Sequence, residues 1–149
     1  IHPDDQSLLS KGGGAAYFGM GSVNSPAATL ALTDGFILQI GKLNLQVIHT
    51  PGHTPGSVCF FVSEDTDVVR PPSGPTDVSS PHGLITGDTL FAGSVGRTDL
   101  PGGNAQTLTK SLNRLLALPP ESTIYPGHGP TSTLAQEQRN NPWLKWASR

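Results

Sequence analysis

Apolar and polar positions alternate most clearly between residues 36 and 48. Leu43, Leu45 and Val47 are interleaved there with Asn44 and Gln46, behind the run Phe36-Ile37-Leu38-Gln39-Ile40. With Gly41-Lys42 between the two halves, the pattern predicts a β-hairpin. Continuous apolar runs at residues 57–62 and 83–86, and a shorter one at 122–125, predict three further strands. A different period governs Leu108, Leu112, Leu115 and Leu116, which stand at i, i+4, i+7 and i+8. That spacing predicts a helix with one apolar face, opened by Asn104 as N-cap and stopped by Pro119-Pro120. Thr133 and Gln136 have the spacing of a capping box for a last helix through Arg139, after which the tail around Trp143, Leu144 and Trp146 packs down. Pro3 followed by Asp4 and Asp5 predicts a short N-terminal helix with acidic residues in its first turn.

Composition adjusts this picture in two places. Eighteen glycines and 14 prolines in 149 residues predict one loop-rich domain, and about twenty residues rich in Pro, Ser and Asp, at 63–82, read as a surface insertion outside the chemistry. Residues 15–29 read as an irregular loop; Gly19-Met20-Gly21 completes no phosphate-binding pattern. The net charge of −2 offers nucleic acid or an anionic membrane no electrostatic attraction, and no apolar run approaches a membrane span. Cys59 is the sole cysteine, so no internal disulfide forms, which fits a reducing compartment, the cytoplasm or an organelle matrix. It sits in an apolar run and reads as a buried small hydrophobe.

The candidate chemistry lies where strands end. Three predicted strands run into turns that carry His53 (Pro51-Gly52-His53), Asp88 (Gly87-Asp88) and His128 (Pro126-Gly127-His128). Imidazole and carboxylate groups on rigid, glycine-lined rims suit zinc, iron or manganese. His49 reads as a hydrogen-bonded structural residue, His2 as a structural turn residue and His82 as an exposed loop residue. Arg97 has two readings: a bidentate anchor for a substrate carboxylate, or a local salt bridge with Asp99 that pins the loop.

These segments, together with Ile1-His2-Pro3-Asp4-Asp5, His49-Thr50-Pro51-Gly52-His53-Thr54-Pro55-Gly56-Ser57, Gly87-Asp88-Thr89-Leu90-Phe91, Gly96-Arg97-Thr98-Asp99 and Tyr125-Pro126-Gly127-His128-Gly129-Pro130, resemble the metallo-β-lactamase-fold hydrolases, in particular their glyoxalase II-like branch. The resemblance implies an α/β fold, an αββα sandwich incomplete at its N-terminus. It implies two zinc ions, with iron as an alternative, His53 and His128 as ligands of one metal each, and Asp88 bridging both. The implied activity is hydrolysis of a small thioester, such as a glutathione conjugate, by metal-bound hydroxide. Persulfide dioxygenases of the same fold, with one iron, share the Gly-Arg-Thr-Asp loop and are the alternative enzyme class. The family's upstream His-x-His-x-Asp-His motif is not in this chain, which therefore reads as the C-terminal two-thirds of a longer protein. Weak or absent metal binding by the chain alone is the expectation that follows, and a catalytically inactive truncated product is the alternative to the hydrolase reading. The oligomeric state is left open.

Overall fold

The computed structural model describes residues 1–21, 25–64 and 82–147. Most of the expected surface insertion, residues 65–81, lies outside the described residues. The N-terminal segment forms a 3-10 turn, Pro3–Asp5, then a short helix α1 (Gln6–Ser10) and a second 3-10 turn, Ala15–Phe18, within the stretch expected to be irregular. Eight strands follow in the order β1 (Ile37–Ile40), β2 (Leu43–His49), β3 (Val58–Glu64), β4 (Gly83–Gly87), β5 (Leu90–Phe91), β6 (Ser94–Val95), β7 (Thr123–Pro126) and β8 (Ser132–Thr133). Helix α2 (Ala105–Leu115) precedes β7; α3 (Leu134–Asn140) and α4 (Pro142–Ala147) close the chain.

Six strands make one sheet in the order β1-β2-β3-β4-β7-β8, while β5 and β6 form a separate ribbon. The predicted hairpin is present, with Ile40 paired to Leu43 across the turn. Strand β3 is antiparallel to both β2 and β4, and β7 runs parallel to β4. Strands β2, β4 and β7 therefore point the same way, and their C-terminal ends share one edge of the sheet.

One face of the sheet carries Ile48, Cys59, Leu84 and Ile124, which pack with Leu108, Leu112 and Leu115 of α2, Leu134 of α3 and Leu144 of α4 into a single core. Helix α2 is built as its spacing predicts: Asn104 Oδ1 accepts from the Thr107 N–H at 2.9 Å, and its leucine face is buried. Thr133 caps α3 by accepting from the Gln136 N–H at 3.2 Å. The opposite face is also apolar. Val47, Phe60, Ile85 and Tyr125 stand in one cross-strand row, with Ile85 and Tyr125 exposed. The described residues thus supply one helix-backed sheet of a mixed α/β fold.

Two expectations are corrected. His82 is buried rather than exposed: it immediately precedes β4, its carbonyl accepts from the Thr123 N–H at 3.0 Å, and its ring lies 5.1 Å from that of Phe61. The tail is a fourth helix in which Leu144 enters the core while Trp143 stays 52% exposed, because helical geometry turns adjacent residues to different sides. Among the described residues no helix is long and apolar enough to cross a membrane.

Candidate metal centre

The shared edge brings together the three residues singled out from the sequence. His53 follows β2 through the turn Thr50-Pro51-Gly52, Asp88 follows β4 directly, and His128 follows β7 after Gly127. Asp88 Oδ2 lies 3.8 Å from His53 Nε2, and Asp88 Oδ1 lies 3.9 Å from His128 Nε2. Each imidazole thus meets a different oxygen of one carboxylate. Both separations are too long for a hydrogen bond. Both are within the span of two ligands that each reach a cation at about 2.0–2.2 Å. The donor set, two imidazoles and a carboxylate at these separations, is chemically suited to holding a metal.

The surrounding backbone aims these donors. His53 Nδ1 lies 2.9 Å from the Arg97 carbonyl oxygen. A carbonyl only accepts, so Nδ1 carries a proton, and in the neutral ring it is Nε2 that presents its lone pair toward Asp88. Asp88 owes its position to two glycines. A Cβ on Gly127 would stand 2.5 Å from Asp88 Oδ1, and a Cβ on Gly96 would collide with the Asp88 carbonyl oxygen. The Gly127 N–H also donates to Gly87 O at 2.8 Å, tying the His128 turn to the base of the Asp88 turn. His53 is the most enclosed of the three side chains, at 19% exposure, against 44% for Asp88 and 74% for His128.

The sequence pattern of the metallo-beta-lactamase superfamily matches residues 76–128, a stretch that holds Asp88 and His128. The probable metallo-hydrolase YqgX of Bacillus subtilis is 38% identical over 148 residues, 97% of this chain and 62% of that protein. The hydroxyacylglutathione hydrolase GloC of Haemophilus influenzae is 38% identical over 112 residues, 74% of this chain and 45% of that protein. Among solved structures, TTHA1623 in a di-iron-bound form superposes with a TM-score of 0.74 at 37% identity, covering 97% of this chain and 63% of that one. The chain belongs to the metallo-beta-lactamase superfamily. It spans less than two thirds of the length of these relatives.

In this superfamily member, the residues that hold the His53 turn come from well separated parts of the chain. Asp5, expected only to complement a helix terminus, reaches across and accepts from the Gly56 N–H at 2.7 Å and the Thr54 hydroxyl at 2.6 Å. His49 Nε2 donates to Pro55 O at 2.9 Å, which is the structural role expected of it. Its ring stacks on His2 at 3.8 Å with an 11° tilt. His2, Asp4 and His49 also bring ligand atoms within 4.8 Å of one another. The stacked rings pack the N-terminal segment against the end of β2, with His2 Nδ1 accepting from the Asp4 N–H at 3.3 Å.

Behind the edge, Thr50 and Thr89 meet through their hydroxyls at 3.2 Å, with Cys59 Sγ 3.4 Å from Thr50 Oγ1. This buried contact joins the His53 and Asp88 turns. Burial pushes the Cys59 thiol up to about 11, against the pull of the Thr50 and Thr89 hydroxyls, so it stays un-ionised near neutrality. The roles of Asp5 and the two threonines were not legible in sequence, since local pattern gives no sign of partners some forty to fifty residues away.

Arg97 Nε and Nη2 donate to the two oxygens of Asp99 at 2.8 and 2.7 Å, so the local pair is formed. The Arg97 guanidinium holds the Asp99 carboxyl down to about 2. A cavity of about 350 Å³ opens over His53, Asp88 and His128, walled by Phe91, Ser94 and Gly96. Beside it lies a larger apolar cleft of about 710 Å³, between α2, Trp143 and the Gly96–Asp99 loop, which shares Val95, Gly96 and Arg97 with the cavity.

Proposed function

We propose that this chain carries part of a two-metal hydrolytic centre acting on a small thioester, a glutathione conjugate or similar, with His53, Asp88 and His128 as metal ligands. The observation that carries this reading is the divided use of Asp88, one oxygen toward each imidazole at 3.8 and 3.9 Å. The similarity to YqgX and to GloC supports the reaction class. The di-iron form of TTHA1623 supports two metals over one.

Bound zinc or iron would supply Lewis acidity, activating water and stabilising the developing oxyanion. The chain's own contribution is positional. Asp88 sets the separation of the two half-sites. His53, held by Arg97 O, keeps its Nε2 free of a proton in the neutral ring and turned to the cavity. Phe91 and Val95 give the cavity apolar walls that limit water. The adjoining cleft offers an apolar acyl or thiol substituent a place beside the reacting carbonyl. Arg97, exposed at the border of both spaces, is the candidate for the substrate's carboxylate, for which that anion would exchange with Asp99.

Ligand count limits the affinity. Among the described residues, each ion would find one imidazole and one carboxylate oxygen, below the three protein ligands of a usual catalytic zinc. Weak binding by this chain alone follows. The test is release of free thiol from S-lactoylglutathione by the purified chain with zinc or iron supplied, beside Asp88→Asn. Metal-dependent release lost in the variant supports the proposal. No release with either metal favours a catalytically inactive chain, and oxygen consumption with a single iron would move the reading to an oxygenase.

A further inference from the structure

The metal cavity stands on a buried carboxylate that the proposed reaction does not use. Glu137, on α3, is only 2% exposed. Its Oε2 accepts from the Gly93 N–H at 2.7 Å and from Asn141 Nδ2 at 2.9 Å, and its Oε1 accepts from the Ser132 hydroxyl at 2.6 Å. All three donors are neutral. Burying a carboxylate without a cation is costly unless converging donors replace its hydration. Here they converge from both rims of the cavity. Gly93 is in the turn between β5 and β6, and Ser132 begins β8, just beyond the His128 turn. Asn141, fully buried, extends the grip: its Nδ2 also donates to Ser94 O at 3.1 Å and approaches Phe91 O at 3.4 Å.

What this grip positions is Phe91. Its ring stacks on His128 at 4.5 Å with a 29° tilt, and Phe91 and Ser94 both line the cavity. His128 is the most exposed of the three site side chains, so the Phe91 ring is a principal restraint on where its Nε2 points.

We propose that Glu137, acting with Asn141, is a positioning residue of the metal cavity: it fixes the β5–β6 turn so that Phe91 holds His128 in register with Asp88. This rests on the metal-site reading above for its functional meaning, but the geometry it describes belongs to the metal-free chain. Glu137→Ala leaves the Gly93 N–H and the Ser132 hydroxyl without this acceptor and reduces the Asn141 amide to its contacts with the Ser94 and Phe91 carbonyls. Glu137→Gln keeps the arrangement, because its carbonyl can face Gly93 and Asn141 while its amide donates to Ser132, whose hydroxyl then accepts.

The experiment is NMR of the His128 ring protons in the metal-free chain, with Phe91→Leu defining the shift when the Phe91 ring current is absent. Glu137→Ala is expected to lose more than half of that ring-current displacement and Glu137→Gln to retain most of it, with dispersed spectra in both. Cobalt affinity is expected to fall roughly tenfold or more in Glu137→Ala and to recover in Glu137→Gln. A folded Glu137→Ala chain with the full His128 displacement would overturn the proposal. If that variant does not fold, Asn141→Ala, which leaves the carboxylate two donors, decides by the same measurement. Absence of cobalt binding by the unmodified chain would remove the metal-site reading and leave the NMR result to judge Glu137.

Discussion

His53 and Arg97 meet through a side-chain to main-chain hydrogen bond of 2.9 Å, the His53 Nδ1–H donating to the Arg97 carbonyl. That bond selects the tautomer of a ring whose other nitrogen faces Asp88 Oδ2 at 3.8 Å. The loop that the sequence marks for its guanidinium therefore acts on the site through its backbone, and the Arg97 side chain is engaged with Asp99. Removing the side chain should leave the His53 bond in place. Arg97→Ala is expected to keep cobalt affinity within about twofold while weakening binding of a carboxylate-bearing thioester by roughly tenfold. Parallel metal and substrate titrations separate the two effects.

Asp88→Asn should weaken binding of both cobalt equivalents by at least about tenfold, since one carboxylate serves both half-sites. His53→Ala and His128→Ala should each affect mainly one equivalent. Asp88 is 44% exposed, so Asp88→Asn is expected to alter stability by no more than about 0.5 kcal/mol. Spectroscopic cobalt titration with chemical denaturation reads both quantities.

Gly127→Ala tests steric placement without touching a ligand. Its new Cβ would stand 2.5 Å from Asp88 Oδ1, so the carboxylate or the turn must move. We expect a loss of cobalt affinity comparable to that of Asp88→Asn, with a stability cost of about 1–3 kcal/mol. Unchanged affinity would show that the turn absorbs the methyl group elsewhere.

Asp5 ties the N-terminal segment to the Thr54–Gly56 turn through both carboxylate oxygens. Asp5→Ala strands a backbone N–H and a hydroxyl, and should cost about 1.5–3 kcal/mol by urea denaturation. Asp5→Asn should recover part of that, because the amide oxygen can still accept from Gly56.

The Cys59 thiol, pushed up to about 11 by burial, should resist Ellman's reagent at pH 8 in the folded chain and react at once in urea. The sign of the linked stability follows. Above about pH 9 the unfolded chain ionises its thiol while the folded chain does not, so stability falls as pH rises from 9 toward 11. The slope should approach about 1.4 kcal/mol per pH unit and vanish in Cys59→Ala.

Much of the fold was legible because its signals are local. The alternation around Leu43–Val47 specified a hairpin, and the leucine spacing with Asn104 and Pro119 specified α2 from cap to stop. His82 and Trp143 were misjudged because burial depends on what else packs there. An isolated imidazole after a polar run looks exposed, and an indole near a terminus looks like an anchor, until the neighbouring strands and helices are in place.

By itself the sequence singled out His53, Asp88 and His128 as candidate ligands, each at the end of a strand on a glycine-lined turn. Only the tertiary structure decided that they meet. One antiparallel strand between β2 and β4, and a parallel pairing of β4 with β7, put three C-terminal ends on the same edge. Only there does Asp88 offer one oxygen to each imidazole. The contacts of Asp5, Thr50, Thr89 and Glu137 were not legible for the same reason: a hydrogen-bond partner in another element is chosen by strand order and register, which local patterns of polarity do not carry.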